Sequence, residues 1–184
     1  QYFNMRKPPQ FFFVFDVESI GLHGEGYAVG GCILDVPTKQ RHSAFCLSCN
    51  PDKASGVQSD REWIAANIPQ IAETHDSPLD LRNTFWKEWE NAKRNYPGIV
   101  MAAECGWPVE ANFLEACVKD DEEARRFSGP YPLHEIASFM LAAGVDPMAT
   151  YDRGAFEEPK HNPRADALQS ARLLCEAIYS FSSK

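Results

Sequence analysis

Two things are scarce in this sequence and a third is missing, and each rules out a class of protein. No apolar run approaches the roughly 18 to 20 residues needed to cross a bilayer. The apolar stretch at residues 11–17 is short, is closed by Asp16 and Glu18, and precedes no small-residue cleavage site, unlike a signal peptide. The expectation is a cytoplasmic protein with no membrane partner. Positive charge is scarce too: 18 Lys and Arg stand against 26 Asp and Glu, a formal net charge of -8. That balance excludes a grip on nucleic acid by bulk positive charge, but not an enzyme that recruits cations to meet phosphate. Zinc-type cysteine spacing is missing. Cys46 and Cys49 form one C-x-x-C with no second Cys or His pair, so the six cysteines read as buried free thiols in a reducing compartment. What is present, 44% hydrophobic and 24% charged residues, excludes disorder, collagen-like repeats and coiled coil as the main architecture. A length of 184 residues suits one domain, here taken as 5–184, with Gln1 to Asn4 ahead of Met5 set aside as a remnant.

Residues 11–15, all apolar and rich in aromatic side chains, read as a central strand covered on both faces. Residues 27–35 and 41–49 read as the next two strands of a meander, joined by a turn at 36–39. Ser59 and Glu62 have the spacing of a capping box opening a short helix through Ile68. Leu81, Phe85, Trp89 and Ala92 recur at helical spacing over 79–95, which assigns Trp89 to the core and favours the same for Trp86 over a base-stacking role. Residues 99–103 read as a buried strand, 109–119 as a helix entered through Pro108, 135–143 as a helix closed by Gly144, and 165–181 as a terminal helix. The acids at 120–123 read as a solvated face, and nothing in the spacing of His134 ties it to a site. Strands first, then helices alternating with strands, give an α/β or α+β class with one mixed sheet.

The informative anomaly is Asp16-Val17-Glu18 at the end of the apolar strand. Residues two apart in a strand project to the same side, so the two carboxylates leave the core edge together. At about 4 Å they repel by roughly 4 kcal/mol for an effective dielectric near 20, which calls for cations or protons. Hard oxygen ligands favour Mg²⁺ or Mn²⁺. Taken singly, Glu110 and Asp166 read as charges favouring helix N-termini and His161 as an exposed loop histidine.

Together these residues resemble the DEDDh exonucleases, 3′-to-5′ nucleases of the RNase H-like fold. Phe15-Asp16-Val17-Glu18-Ser19-Ile20-Gly21-Leu22 is similar to that family's apolar strand followed by D-x-E-[TS]-x-G-L. Residues 103–114, with Glu110, are similar to its strand-loop-helix segment, and His161-Asn162-Pro163-Arg164-Ala165-Asp166-Ala167 fits H-x-x-x-x-D-A. The resemblance implies an RNase H-like mixed β-sheet flanked by helices. It also implies a hydrolase that uses two ions, Mg²⁺ or Mn²⁺, on the 3′ ends of single-stranded DNA or RNA and releases nucleoside 5′-monophosphates. Asp16, Glu18 and Asp166 would hold one ion, Asp16 would also touch the second, and Glu110 would act mainly through that second ion. His161 would be the general base, as an imidazole pKa near 6.5 suits proton removal near neutral pH. Ser19, Ile20 and Leu22 would cradle the terminal nucleotide, Leu22 as an apolar wedge, with Arg153, Lys160 or Arg164 toward phosphate. Glu110 stands where the family has Asp, and the extra methylene moves the carboxylate by over an ångström. That departure motivates an alternative, a catalytically weakened module that binds nucleic acid or protein; a nuclease that cuts internally is a further alternative. Sugar preference and oligomeric state are left open.

Overall fold

The computed structural model describes residues 9–182; the expectation about Gln1 to Asn4 lies outside the described residues. Strand β1, Phe11–Ser19, organises the rest through its alternation. Phe13, Phe15 and Val17 enter one hydrophobic cluster, and Phe12 and Val14 enter another on the opposite face. The first cluster is closed by helix α2, Pro78–Asn95, and helix α3, Ala111–Lys119; the second by helix α5, Ile136–Ala143, and helix α6, Pro163–Ser182. A strand with helices on both faces has no solvated side, and this is why its sequence is apolar throughout its first five residues.

Strands β2, Gly26–Asp35, and β3, Gln40–Ser48, complete the antiparallel meander, while β4, Val100–Ala103, lies parallel to β1 on its other edge. The sheet order is β3-β2-β1-β4-β5, with β5 being the two-residue strand His134–Glu135, parallel to β4. Two residues carry no periodicity, so this strand has no sequence signature, and it takes Glu135 out of the helix expected to begin there. Phe85 on α2 anchors the aromatic core, its ring centroid 5.7, 5.4 and 5.1 Å from those of Phe13, Phe15 and Phe113. Trp86 and Trp89 are both buried, as the stripe predicts for Trp89. Gly144 takes the left-handed conformation and closes α5.

Three expectations need correction. Helix α1, Gln58–Asn67, starts one residue before Ser59 and is capped at Val57 without a side-chain bond, so the Ser59–Glu62 capping box does not form. The acid run is not uniformly solvated: Arg82, 7% exposed, takes Asp120 through Nε at 2.6 Å and Nη2 at 3.0 Å, and Glu25 through Nη1 at 2.6 Å. Asp121 instead caps the short helix α4, Glu122–Arg125. Among the cysteines, Cys32, Cys49, Cys117 and Cys175 are buried and all six are free, but Cys46 is half-buried and Cys105 exposed. Among the described residues no helix is long and apolar enough to cross a membrane.

Candidate active site

The face of β1 that buries Phe12 and Val14 continues, two residues at a time, through Asp16 and Glu18. The same pleat therefore carries the strand out of the core and into a cleft. Asp16 is paired across the sheet with Gly30, and the glycine is required: a Cβ there would lie 2.2 Å from the backbone nitrogen of Arg164 and 2.3 Å from the carbonyl carbon of Pro163. The bare backbone of Gly30 lets the start of α6 settle on the sheet, which brings Asp166, in the first turn of that helix, over Asp16. Glu110 arrives from the other side. An irregular turn, Gly106–Glu110, contains the extended Trp107 and leads from β4 into α3, leaving Glu110 8% exposed at the head of the helix.

Burial dominates the electrostatics of this cluster. It raises the Asp16 carboxyl well above the ordinary range, and Glu110, Asp166 and Glu18 push the same way. Glu18 is pushed up to about 8 by burial and then by Asp166 and Glu110. Burial lifts Glu110 to about 7, against the pull of its own and Val17's backbone N–H groups. Asp166 is also raised by burial, offset in part by Arg153. A fifth carboxylate, Glu104, joins at the end of β4. Much of its residue surface is open, but the carboxyl turns inward to accept a bond from Ser170 Oγ at 3.4 Å, and burial of that end raises its pKa. These desolvated acids with raised pKa values lack sufficient cationic partners among the described residues, which is the charge pattern a divalent cation relieves. The donor set fits such an ion: Glu18, His161 and Asp166 offer ligand atoms within 4.8 Å of one another.

His161 sits with its Nδ1 4.0 Å from Glu18 Oε1. Its backbone is left-handed at φ 61°, a conformation uncommon outside glycine, and its N–H donates to Asp166 Oδ2 at 3.0 Å. A strained backbone held by an acid of the same cluster fixes where the imidazole stands.

A second recess, about 370 Å³, adjoins the acids through Glu18 and His161 and is otherwise mostly apolar, lined by Leu22, Trp63, Ile64, Ile68 and Val109. Leu22 is 65% and Trp63 55% exposed. Large apolar side chains left this open beside a polar centre are what a flat, partly apolar ligand would cover. Trp63 meets His161 edge-on, ring centroids 6.4 Å apart.

Comparison with known structures bears on this arrangement. No family model matches the chain, and no curated protein does either. Solved structures do. A crystal structure of a full-length 3′-exonuclease aligns with 94% of this chain and 83% of its own at 13% identity, TM-score 0.55. The nuclease domain of 3′hExo, a DEDDh family member bound to rAMP, aligns with 93% of this chain and 92% of its own at 11% identity, TM-score 0.52. The fold is that of the DEDDh 3′-exonucleases. Cell-death related nuclease 4 (CRN-4) also matches at TM-score 0.51 and 12% identity, with this chain spanning 64% of its length.

On this fold, Asp16, Glu18, Asp166 and His161 line one cleft, and Glu110 lies buried near enough to raise the pKa values of Asp16 and Glu18. The residues expected to cradle a nucleotide divide. Leu22 and Ser19 line the apolar recess, the Ser19 hydroxyl donating to the Gly21 carbonyl at 2.6 Å. Ile20 does not take part: its side chain is fully buried and its N–H is committed to the Glu25 carbonyl at 3.1 Å. Arg153 is not free to meet phosphate either, because it is bonded to Asp166. Trp63 and Glu104 escaped sequence reasoning. Trp63 is one exposed aromatic in a polar helix, and Glu104 directly follows a four-residue strand; only the apposition of α1 and β4 with β1 gives them meaning.

Proposed function

We propose that this protein is a metal-dependent 3′-to-5′ exonuclease that hydrolyses single-stranded DNA or RNA from the 3′ end and releases nucleoside 5′-monophosphates. The observation that carries the reading is the convergence of Asp16, Glu18, Glu110 and Asp166, mutually repelling and desolvated, beside an open apolar recess. Divalent ions, Mg²⁺ or Mn²⁺, would be held by Asp16, Glu18 and Asp166, with Glu110 at a second ion, and would supply stabilisation of the attacking and leaving oxygens of an in-line displacement. His161 accepts the proton of the attacking water. The water oxygen bonds to phosphorus, the P–O3′ bond breaks, and the upstream 3′-oxygen leaves and takes a proton from solvent, so the phosphate stays on the 5′-carbon of the released nucleotide. The terminal base lies between Leu22 and Trp63, where stacking on an aromatic face is tolerant of base identity. Retention of Asp16, Glu18, Asp166 and His161 favours a working site over an inert binding module, which would have no need of a repulsive acid cluster.

The test is a time course on 3′-labelled and 5′-labelled DNA and RNA oligonucleotides, with Mg²⁺, Mn²⁺ or EDTA. The expected result is stepwise shortening from the 3′ end that needs the metal and collapses in Asp16→Ala and His161→Ala. Cleavage of a circular substrate would make the protein an endonuclease. Binding without turnover in any metal would make it the weakened module.

A further inference from the structure

Among the described residues one guanidinium lies in direct contact with the acid cluster. Arg153 Nη2–H donates to Asp166 Oδ1, while Arg153 Nε–H donates to the backbone carbonyl of Glu157 at 2.5 Å. The other oxygen of Asp166 takes the His161 N–H. Both Asp166 oxygens are therefore engaged by donors of the chain itself. The support behind Arg153 is rigid. Glu157 is 1% exposed and its carboxylate accepts from Arg41 at 2.5 Å, from Arg172 at 2.9 Å and from the Gly154 N–H at 3.1 Å, which ties this segment to β3 and α6. These hydrogen bonds, with the charge of Arg172 added, overcome the cost of burial and hold the Glu157 carboxyl down at about 2, so the anchor is ionised under all working conditions. Anchored at Nε, the side chain stays beside Asp166 with only its Nη2 end able to leave Oδ1, and a guanidinium does not lose its proton.

We propose that Arg153 is a positioning residue that acts as a resident counter-ion: it holds Asp166 in place in the metal-free protein and competes with a divalent cation for Asp166 Oδ1. The inference rests on the reading of these acids as cation ligands. Loading a cation at Asp166 displaces the guanidinium from Oδ1, so removing its charge strengthens cation binding while weakening the metal-free fold.

The test is Mn²⁺ binding by calorimetry to the full chain, as wild type, Arg153→Gln and Arg153→Lys, with melting temperatures in EDTA. Arg153→Gln is expected to bind Mn²⁺ about tenfold or more tightly, since a positive charge beside the ligand has gone, and to melt lower in EDTA; Arg153→Lys is expected to stay near wild type. A second measurement needs no variant: the Arg153 guanidinium resonances of the wild type shift on saturation with Mg²⁺. Unchanged or weaker Mn²⁺ affinity in Arg153→Gln, or guanidinium signals indifferent to Mg²⁺, with wild-type binding intact, overturns the counter-ion role alone. Absence of Mn²⁺ binding in the wild type overturns the cation reading beneath it.

Discussion

Replacing Glu18 with Gln should stabilise the metal-free protein, and only on the alkaline side. The ordinary carboxyl value of 4.5 rises to about 8 at Glu18 in the fold. Below pH 4.5 the group is protonated in both folded and unfolded chains, and its ionisation costs nothing. Between 4.5 and 8 the unfolded chain releases the proton while the folded chain keeps it, so stability is lost as pH rises, and above 8 the full cost is present. A rise of that size corresponds to at most about 5 kcal/mol. With the Glu18 side chain 15% exposed, hydration of its outer edge brings this to about 2 to 5 kcal/mol. For a chain of this length that range is worth about 5 to 15 °C in melting temperature. The assay is thermal unfolding in EDTA from pH 5 to 8.5, followed by circular dichroism. Wild type should lose melting temperature across the window, Glu18→Gln should lose less and exceed wild type at pH 8.5, and Mg²⁺ should restore the wild type. Equal melting temperatures for the two proteins at pH 8.5 in EDTA would refute the argument that this acid is held against repulsion and burial.

Gly30→Ala should cost activity far more than a β-surface substitution warrants, because its methyl meets the backbone of Pro163 and Arg164 and must push the start of α6, with Asp166, off the sheet; kcat on a labelled oligonucleotide and the melting temperature should both fall. Trp63→Ala should raise KM about tenfold with a smaller change in kcat, in line with the roughly 1 to 3 kcal/mol of one base-stacking contact, and steady-state kinetics with a dinucleotide checks it. Phe85→Ala should destabilise by about 3 to 5 kcal/mol in urea titration, since it empties the centre of the aromatic core without touching the cleft.

Much of the fold was legible wherever a period ran long enough. The apolar run at Phe11 to Phe15, the stripe of Leu81, Phe85, Trp89 and Ala92, and the glycine after α5 each announced an element that the structure contains. Local rules failed where tertiary partners outbid them. Ser59 had the spacing of a cap, but the chain enters α1 one residue earlier, from Val57. Asp120 looked like one of four solvated acids, yet Arg82 on α2 lies beneath it, and a fork-shaped guanidinium takes its carboxylate bidentately. Strand β5 is set by pairing with Ala102 and Ala103 and has too few residues to show any pattern.

The candidate site divides along the same line. Asp16 and Glu18 were readable because a period of two is a local property of a strand, and because acids at the end of an apolar run conflict with burial unless something else compensates. Glu110, His161 and Asp166 could be grouped with them only by resemblance, since nothing local says that three distant segments meet. Ile20 shows the limit of carrying a motif over whole: β1 ends at Ser19, and in the turn that follows, where Gly21 takes a left-handed φ of 67°, Ile20 packs into the core while Leu22 stays exposed. Arg153 shows the converse. Its sequence neighbours suggested a free loop cation, but the buried Glu157 anchor turns it onto Asp166. The acidity of the chain is thus met locally by two different devices. Fixed arginines, Arg82, Arg41 and Arg172, neutralise the structural acids in place, whereas the cleft holds more carboxylates than the one guanidinium that contacts them among the described residues can balance. That imbalance, rather than the overall charge, is what suits the cleft to exchangeable cations.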